Sequence, residues 1–246
     1  MYAILGGTGL TQLGNLDVSR REVVRTPYGE PSGPLTFGRV AGREIVFLAR
    51  HGYGHTIAPH EVNYRANLWA LHAQNVEGIV AIASVGGIAA DLGPASLAVP
   101  HQIIDYTWGR KSTFFEGEQT PVTHVDFTHP YAENLRQRVL AAAAAAGETV
   151  RTQGVYAATQ GPRLETAAEI DRLERDGAEM VGMTGMPEAV LARELGADYA
   201  AIAVVANFAA GRGDSTSGIH LEDIGKVLQA GMGRVRIIIE TLLRQS

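Results

Sequence analysis

The chain predicts an α/β fold built as one large domain, on three observations. Its 246 residues suffice for a single sizeable core. Short apolar, β-branched runs alternate with stretches of helical periodicity. No Pro/Ser-rich linker divides the chain and no period of roughly 20–50 residues repeats, so residues 1–246 read as one domain.

The elements follow in order. Strands are expected at Tyr2–Leu5, Ile45–Leu48, Ile79–Ala83, Thr152–Tyr156 and Tyr199–Val205. Helices are expected at Asn63–Ala73, Tyr131–Ala146, Thr166–Arg175, Pro187–Leu195 and Leu221–Leu243. The alanine run Ala141–Ala146 reads as a plain surface helix, because alanine is the best helix former and Gly147 supplies a stop. Gly93-Pro94 and Asp126–Pro130 mark irregular crossovers.

Composition narrows the class. Hydrophobic residues make up 46% and charged residues 19%, too apolar for disorder. A net charge of -5 argues against a nucleic-acid coat or a basic membrane anchor. With no cysteine there is no disulfide framework, no thiolate nucleophile and no Cys-based zinc site. The start, Met1–Leu5, lacks a basic region followed by a long apolar run, and the apolar stretches are too short or too Gly-interrupted to span a bilayer. A cytoplasmic enzyme is the expectation.

Three strand ends carry glycines beside polar groups. Leu5-Gly6-Gly7-Thr8-Gly9-Leu10 turns backbone N–H groups toward an anion and adds the Thr8 hydroxyl, although a plain structural turn accounts for it as well. It is not a dinucleotide fingerprint, since the third glycine would fall at Gln12, and no Gly-Lys-Ser/Thr follows to make a P-loop. Arg50-His51-Gly52-Tyr53-Gly54-His55 offers a planar fork of donors and two imidazoles. Ala83-Ser84-Val85-Gly86-Gly87 ends a third strand the same way. Together they suggest one shared oxyanion site. His55 and His60 lack the helix spacing and carboxylate of a metal site, so no metal is expected.

Later in the chain, Gln160–Glu169 begins as a turn and becomes a helix, with Glu165 close to the helix start, where a glutamate often only complements the dipole. Val181–Glu188 contains Met183, Thr184 and a Pro187 suited to a helix's first turn. The strand ending Ala206-Asn207-Phe208-Ala209 closes on an amide that can both donate to and accept from a heterocycle.

As a set, these motifs resemble the trimeric purine nucleoside and 5′-methylthioadenosine phosphorylases, in order and over nearly the whole chain. Arg50-His51-Gly52 with His55-Thr56-Ile57, Val62-Asn63-Tyr64 with Ala66-Asn67, Gly161-Pro162-Arg163, and Met183-Thr184 with Met186-Pro187-Glu188 are all family-like. The resemblance implies a single α/β domain with a central twisted mixed β-sheet flanked by helices, in a homotrimer with sites near subunit interfaces. It implies phosphorolysis of a purine nucleoside, with inorganic phosphate as co-substrate and no cofactor. Thr8, Arg50, His51, Ala83, Ser84 and Thr184 match the phosphate-binding positions, and Met183 a ribose and base packing position. Asn207, Phe208 and Ala209 match the segment that reads the purine, with Asn207 as the catalytic donor to the leaving base.

The chain departs from its adenine-cleaving relatives, which carry aspartates where Asn207 and Ala209 stand. Asn207 resembles the residue of inosine- and guanosine-cleaving enzymes, and Glu165 matches their acceptor for the N1 proton. Adenine has no such proton, and a buried polar group left without its partner discriminates by factors on the order of 10⁴. At the sugar end, Ile219, Leu221 and Ile224 fall where a 5′-methylthio group is held, and Leu221 replaces a histidine that receives a 5′-hydroxyl. A one-residue shift would put His220 there instead. His124 matches a histidine lent to a neighbouring subunit's site. An oxopurine pocket joined to a methylthio pocket suits S-methyl-5′-thioinosine. A general inosine/guanosine phosphorylase, a methylthioadenosine phosphorylase and a non-catalytic nucleoside-binding protein are the alternatives.

Overall fold

In the computed structural model, which describes residues 1–10, 13–118 and 120–245 and only the backbone of Leu221, one ten-stranded mixed sheet runs through the chain. The strands are β1 (Tyr2–Gly6), β2 (Asp17–Glu22), β3 (Leu35–Val40), β4 (Arg43–Ala49), β5 (Gly78–Gly87), β6 (Leu97–Ala98), β7 (Gln102–Asp105), β8 (Val155–Ala158), β9 (Met180–Gly182) and β10 (Tyr199–Phe208). The helices are α1 (Tyr64–His72), α2 (Glu133–Ala145), α3 (Ala167–Arg175), α4 (Gly185–Glu194) and α5 (Leu221–Arg244). The order across the sheet is β2-β3-β4-β1-β5-β9-β8-β7, with β10 paired to β5 and to β6. No helix among the described residues is long and apolar enough to cross a membrane.

Side-chain alternation puts a core on each face of the sheet. Ala3, Leu5, Val46, Leu48, Ile79 and Ala81 face α1 and α4, where Leu68, Leu71, Ala189 and Leu191 meet them. Tyr2, Ile4, Ile45, Phe47, Val80 and Ile82 face α2 and α5, with Val139, Met232, Val235 and Ile239. The apolar stripe of α5 at Leu228, Met232 and Val235 is buried, as its three- and four-residue spacing implies.

The five expected helices form, and local chemistry sets their ends. Asn63 caps α1 by accepting from the Ala66 backbone N–H at 3.1 Å. Thr166 and Glu169 form a reciprocal capping box on α3. Gly147, at φ 72°, closes α2, with the Glu148 and Gly147 N–H groups donating back to Ala143 and Ala144. The alanine run is not a plain surface helix: Ala142 and Ala143 are fully buried against α5, where small side chains let two helices approach. The strand expected at Thr152–Tyr156 begins only at Val155, because the backbone of Arg151 bridges to Ala98 and the chain bends after it.

Gly231 lies where α5 crosses β10, and a Cβ there would sit 2.5 Å from Val204 Cγ1, whereas one at Gly233 would meet nothing within 4 Å. Gly231→Ala is expected to lower stability by about 1–3 kcal/mol through overpacking. Gly233→Ala should raise it by up to about 1 kcal/mol through helix propensity. Urea-unfolding midpoints of the two variants check the contrast.

Candidate active site

Strands β1, β4, β5 and β10 run parallel, so their carboxyl ends share one edge of the sheet. Connections diverge at such an edge and leave room for a ligand. β9 pairs antiparallel with the far end of β5, which returns Gly182–Thr184 to the same place. A cavity of about 450 Å³ opens there. Of the residues expected from sequence, Thr8, Arg50, His51, Ala83, Ser84, Glu165, Met183, Thr184, Asn207, Ala209, Ile219 and Ile224 all line it. Among the described residues no group of three or more His, Asp or Glu side chains gathers as a metal site would require.

One end of the cavity is rich in donors. The turn after β1 is held by the Arg50 N–H on the Gly6 carbonyl, 2.9 Å. A Cβ on Gly7 would lie 2.4 Å from the Ile82 oxygen and 2.8 Å from Arg50 Nη1, so only glycine fits this approach. Arg50 is 1% exposed. Its Nε and Nη2 donate to the two carboxylate oxygens of Glu188, and its Nη1 donates to the Ile82 carbonyl at 2.9 Å. Tyr199 Oη donates to the same carboxylate at 2.8 Å. Burial by itself would disfavour the Arg50 cation, but Glu188 outweighs it and holds the guanidinium firmly protonated. Three of its five N–H groups are thus committed, which leaves two for a ligand.

His51 donates from Nδ1 to the Ile57 carbonyl at 2.8 Å, because a carbonyl only accepts. Burial, and then the Arg50 charge, push its pKa down to about 4, so the ring is neutral and Nε2 is an acceptor. Thr184 heads α4 as its N-cap residue, yet its hydroxyl makes no cap bond, and the residue lines the cavity. Met186, directly after Gly185, has non-helical dihedrals, so the regular helix starts at Pro187 as its ring geometry favours.

The other end is shaped by a bulge. Opposite β5, β10 shifts register between Val205 and Asn207, which leaves Ala206 as an extra residue. Neighbours on a regular strand face opposite sides, but here Ala206 and Asn207 both line the cavity. Asn207 Nδ2 donates to the Phe208 carbonyl at 2.6 Å, which identifies the amide's nitrogen end and leaves one N–H and the Oδ1 acceptor free. Phe208 itself contributes no side chain to the lining: its ring is wedged between Gly93 and Gly213, which have no Cβ to obstruct it. This corrects the expectation that all of Asn207–Ala209 faces the ligand.

Glu165 does not serve the dipole of α3. Glu169 fills the capping role, and Glu165 lies one residue outside the cap, where its Oε1 accepts from Thr159 Oγ1 at 2.7 Å and its carboxylate faces the cavity. Gly161, at φ 62°, lets Met183 Sδ pack against the turn, at 2.4 Å from where a Cβ would stand.

A third side is apolar. Ile219, Ile224 and Leu228 line it, and Ile57, Ala58 and Pro59 come from the loop past His51. His220 is exposed and lies outside the lining, whereas Ile219 and Ile224 are part of it. Leu221 opens α5, and its side chain lies outside the described residues. His124 is exposed and away from this chain's own cavity. Sequence reasoning missed Glu188 as the partner of Arg50 and Tyr199 as a further donor to that carboxylate. A buried arginine demands a carboxylate, but nothing local says which one.

The chain belongs to the phosphorylase superfamily, whose family model matches residues 1–244. It is 53% identical over 246 residues, the whole chain and 99% of the relative, to a protein of Pseudomonas syringae pv. tomato named probable S-methyl-5′-thioinosine phosphorylase. It is 46% identical over 214 residues, 85% of this chain and 80% of the relative, to the 6-oxopurine nucleoside phosphorylase of Pyrococcus furiosus. Methylthioadenosine phosphorylase from Schistosoma mansoni, solved in complex with adenine, superposes with a TM-score of 0.94 at 31% identity, covering 99% of this chain and 91% of that one.

Two outcomes follow from the buried charges. Glu188→Gln leaves the Arg50 cation without a counter-charge and should cost about 3–5 kcal/mol in urea unfolding. Tyr199→Phe removes one bond to that carboxylate and should cost about 1–3 kcal/mol. For His51, the unfolded ring protonates near pH 6.5 and the folded one only near 4. The unfolded state therefore binds more protons between these values, and stability falls as pH falls through that window. Between pH 7 and pH 5 the loss is about 2 kcal/mol. His51→Asn, measured beside the parent in phosphate-free buffer, should lack that component; equal losses in both proteins would show that His51 does not carry it.

Proposed function

We propose that this protein phosphorolyses S-methyl-5′-thioinosine to hypoxanthine and 5-methylthioribose 1-phosphate, a purine-salvage reaction. The observation that carries the reading is that Asn207, Glu165 and Ala209 line the same cavity as Arg50, His51 and Thr184, with an apolar wall between Ile219 and Leu228. The relative at 53% identity bears the corresponding name, and the Pyrococcus relative is named for 6-oxopurines.

Phosphate binds among the Thr8, Ser84 and Thr184 hydroxyls, the backbone at Ala83 and the two free N–H groups of Arg50. His51 Nε2, an acceptor, suits the hydrogen of monohydrogen phosphate. A phosphate oxygen attacks the anomeric carbon as the bond to purine N9 breaks, and the adjacent dianion stabilises the oxocarbenium-like transition state. The departing base gathers negative charge, which Asn207 meets by donating its free N–H to N7 or O6. Glu165, with one oxygen held by Thr159, accepts the N1 proton's hydrogen bond with the other, and Met183 packs against ribose and base. Ala209 leaves no carboxylate for a 6-amino group. Ile219 and Ile224 receive the methylthio group. We further propose a homotrimer in which His124 serves a neighbouring subunit's site; its exposure away from its own cavity suits that role.

Comparison of kcat/KM for methylthioinosine, inosine and methylthioadenosine tests the reading, with methylthioinosine expected to lead. A preference for inosine would make the protein a general 6-oxopurine phosphorylase and sink the apolar 5′ assignment. A preference for methylthioadenosine would overturn the roles of Asn207 and Glu165, and phosphate-independent binding without turnover would leave only a binding protein. Asn207→Asp with Ala209→Asp should shift the methylthioadenosine to methylthioinosine ratio upward by at least about tenfold.

A further inference from the structure

We propose that Arg110 is a positioning residue that couples the two ends of the active site: it fixes the base-reading carboxylate and the phosphate loop relative to one another without touching either substrate. The inference rests on the base and phosphate ends proposed above.

Arg110 lies in the segment after β7, outside the cavity lining, and is half-buried. Its two terminal nitrogens donate to five oxygens on three stretches of chain. Nη1 reaches the carbonyls of Met183 at 2.7 Å and Met186 at 2.6 Å, and the Tyr64 hydroxyl at 3.2 Å. Nη2 reaches the carbonyls of Gln160 at 2.9 Å and Thr159 at 3.2 Å. The guanidinium also lies over the Tyr64 ring, 5.4 Å from its centroid.

Each stretch carries a different wall of the site. Thr184 lies between the two carbonyls held at Met183 and Met186. Thr159, whose carbonyl Arg110 holds, is the residue whose hydroxyl fixes Glu165. Tyr64 passes the contact on, since its hydroxyl donates to the Pro59 carbonyl at 2.7 Å and Pro59 lines the cavity. One rigid planar group thus spans connections from β8, from β9 and from the loop past His51. Only a fork with separated donors reaches both Thr159–Gln160 and Met183–Met186 at once; an ammonium is a single point.

Its partners set Arg110 apart from the other pinned arginines. Arg50 is matched by Glu188, but no carboxylate among the described residues pairs with Arg110, and its Nε is buried without a partner. All five acceptors are neutral oxygens of active-site walls or of the tyrosine behind one. A staple serving stability alone has no need to gather its acceptors from these loops. The segment carrying Arg110 is itself anchored, with Trp108 N–H donating to Gln160 Oε1 at 3.1 Å and Phe114 N–H to Glu194 Oε2 at 2.7 Å.

The test uses the full-length enzyme and three variants. Arg110→Lys keeps the charge and loses the fork, and Arg110→Met loses both. Thr159→Val removes the hydroxyl that holds Glu165, with its longer 3.2 Å contact to the Gly182 carbonyl, while leaving the Arg110 bonds to the backbone in place. KM for phosphate is measured at saturating nucleoside, and KM for nucleoside at saturating phosphate. Both Arg110 variants are expected to raise both KM values, each by about tenfold, as the loss of charge-assisted hydrogen bonds implies. Thr159→Val should raise the nucleoside KM alone. Amide exchange in the substrate-free proteins should quicken at 159–165 and 183–188 in the Arg110 variants while α5 keeps the parent's protection. A group that only holds the fold would lower Tm and specific activity and leave both KM values at the parent's; that result, or a rise in one KM only, overturns the proposal. If the parent turns over no 6-oxopurine nucleoside, the functional reading fails, and the exchange data still decide whether Arg110 couples the two loops.

Discussion

Arg50 and Glu188 stand 138 positions apart and meet in the interior with almost no exposure on either side chain. An isolated cation at that depth would be very costly to desolvate, and an isolated carboxylate no less so. Each is tolerable only because the other is present and because Ile82 and Tyr199 take up further bonds. The pair therefore ties the end of β4 to α4, and Gly7 can lie against the guanidinium because it carries no Cβ. The anion-binding end of the cavity is built around this one fixed charge. Burial keeps His51 neutral, and the Arg50 charge beside it adds to that effect.

Around that charge the site is assembled by strand geometry. Four parallel strands deliver their carboxyl ends to one edge, so short connections can each contribute a hydroxyl, an amide or a bare backbone N–H. Parallel strands alone would waste every second residue on the far face. The bulge at Ala206 removes that limit on β10 and turns Asn207 into the cavity beside its neighbour. The return of β9 antiparallel to β5 does the same for Met183 and Thr184. A binding surface with donors at one end, an amide and a carboxylate at another, and aliphatic side chains along a third side results from these departures from regularity.

The loops that finish the site are short of regular structure and are held by side chains instead. Thr159 holds Glu165, Phe208 orients the Asn207 amide, and Arg110 gathers the carbonyls of two connections. Such bonds act over a few ångströms between residues distant in sequence. They convert a set of flexible connections into walls whose spacing is defined, which is what discrimination between one heterocycle and another requires.

Much of this was legible in the chain itself. Alternating apolar runs located β1, β4, β5 and β10, since a strand buried on both faces must be apolar throughout, and the helical periodicities located α1 to α5. Strands β2, β6, β7 and β9 carry no such mark: Asp17–Glu22 is wholly exposed and mostly charged, and the others run to two, four and three residues, so only pairing with a neighbour makes them strands. The candidate site was legible wherever residue type and glycine spacing speak locally, as at Thr8, Arg50, His51, Ser84 and Asn207. Tertiary structure alone decided that Glu188 is the partner of Arg50, that Glu169 and not Glu165 caps α3, that Phe208 turns away, and that Arg110 lies behind the cavity. Each of these depends on which groups meet through space, and a hydrogen bond or ion pair leaves no trace in sequence beyond the bare presence of its two ends.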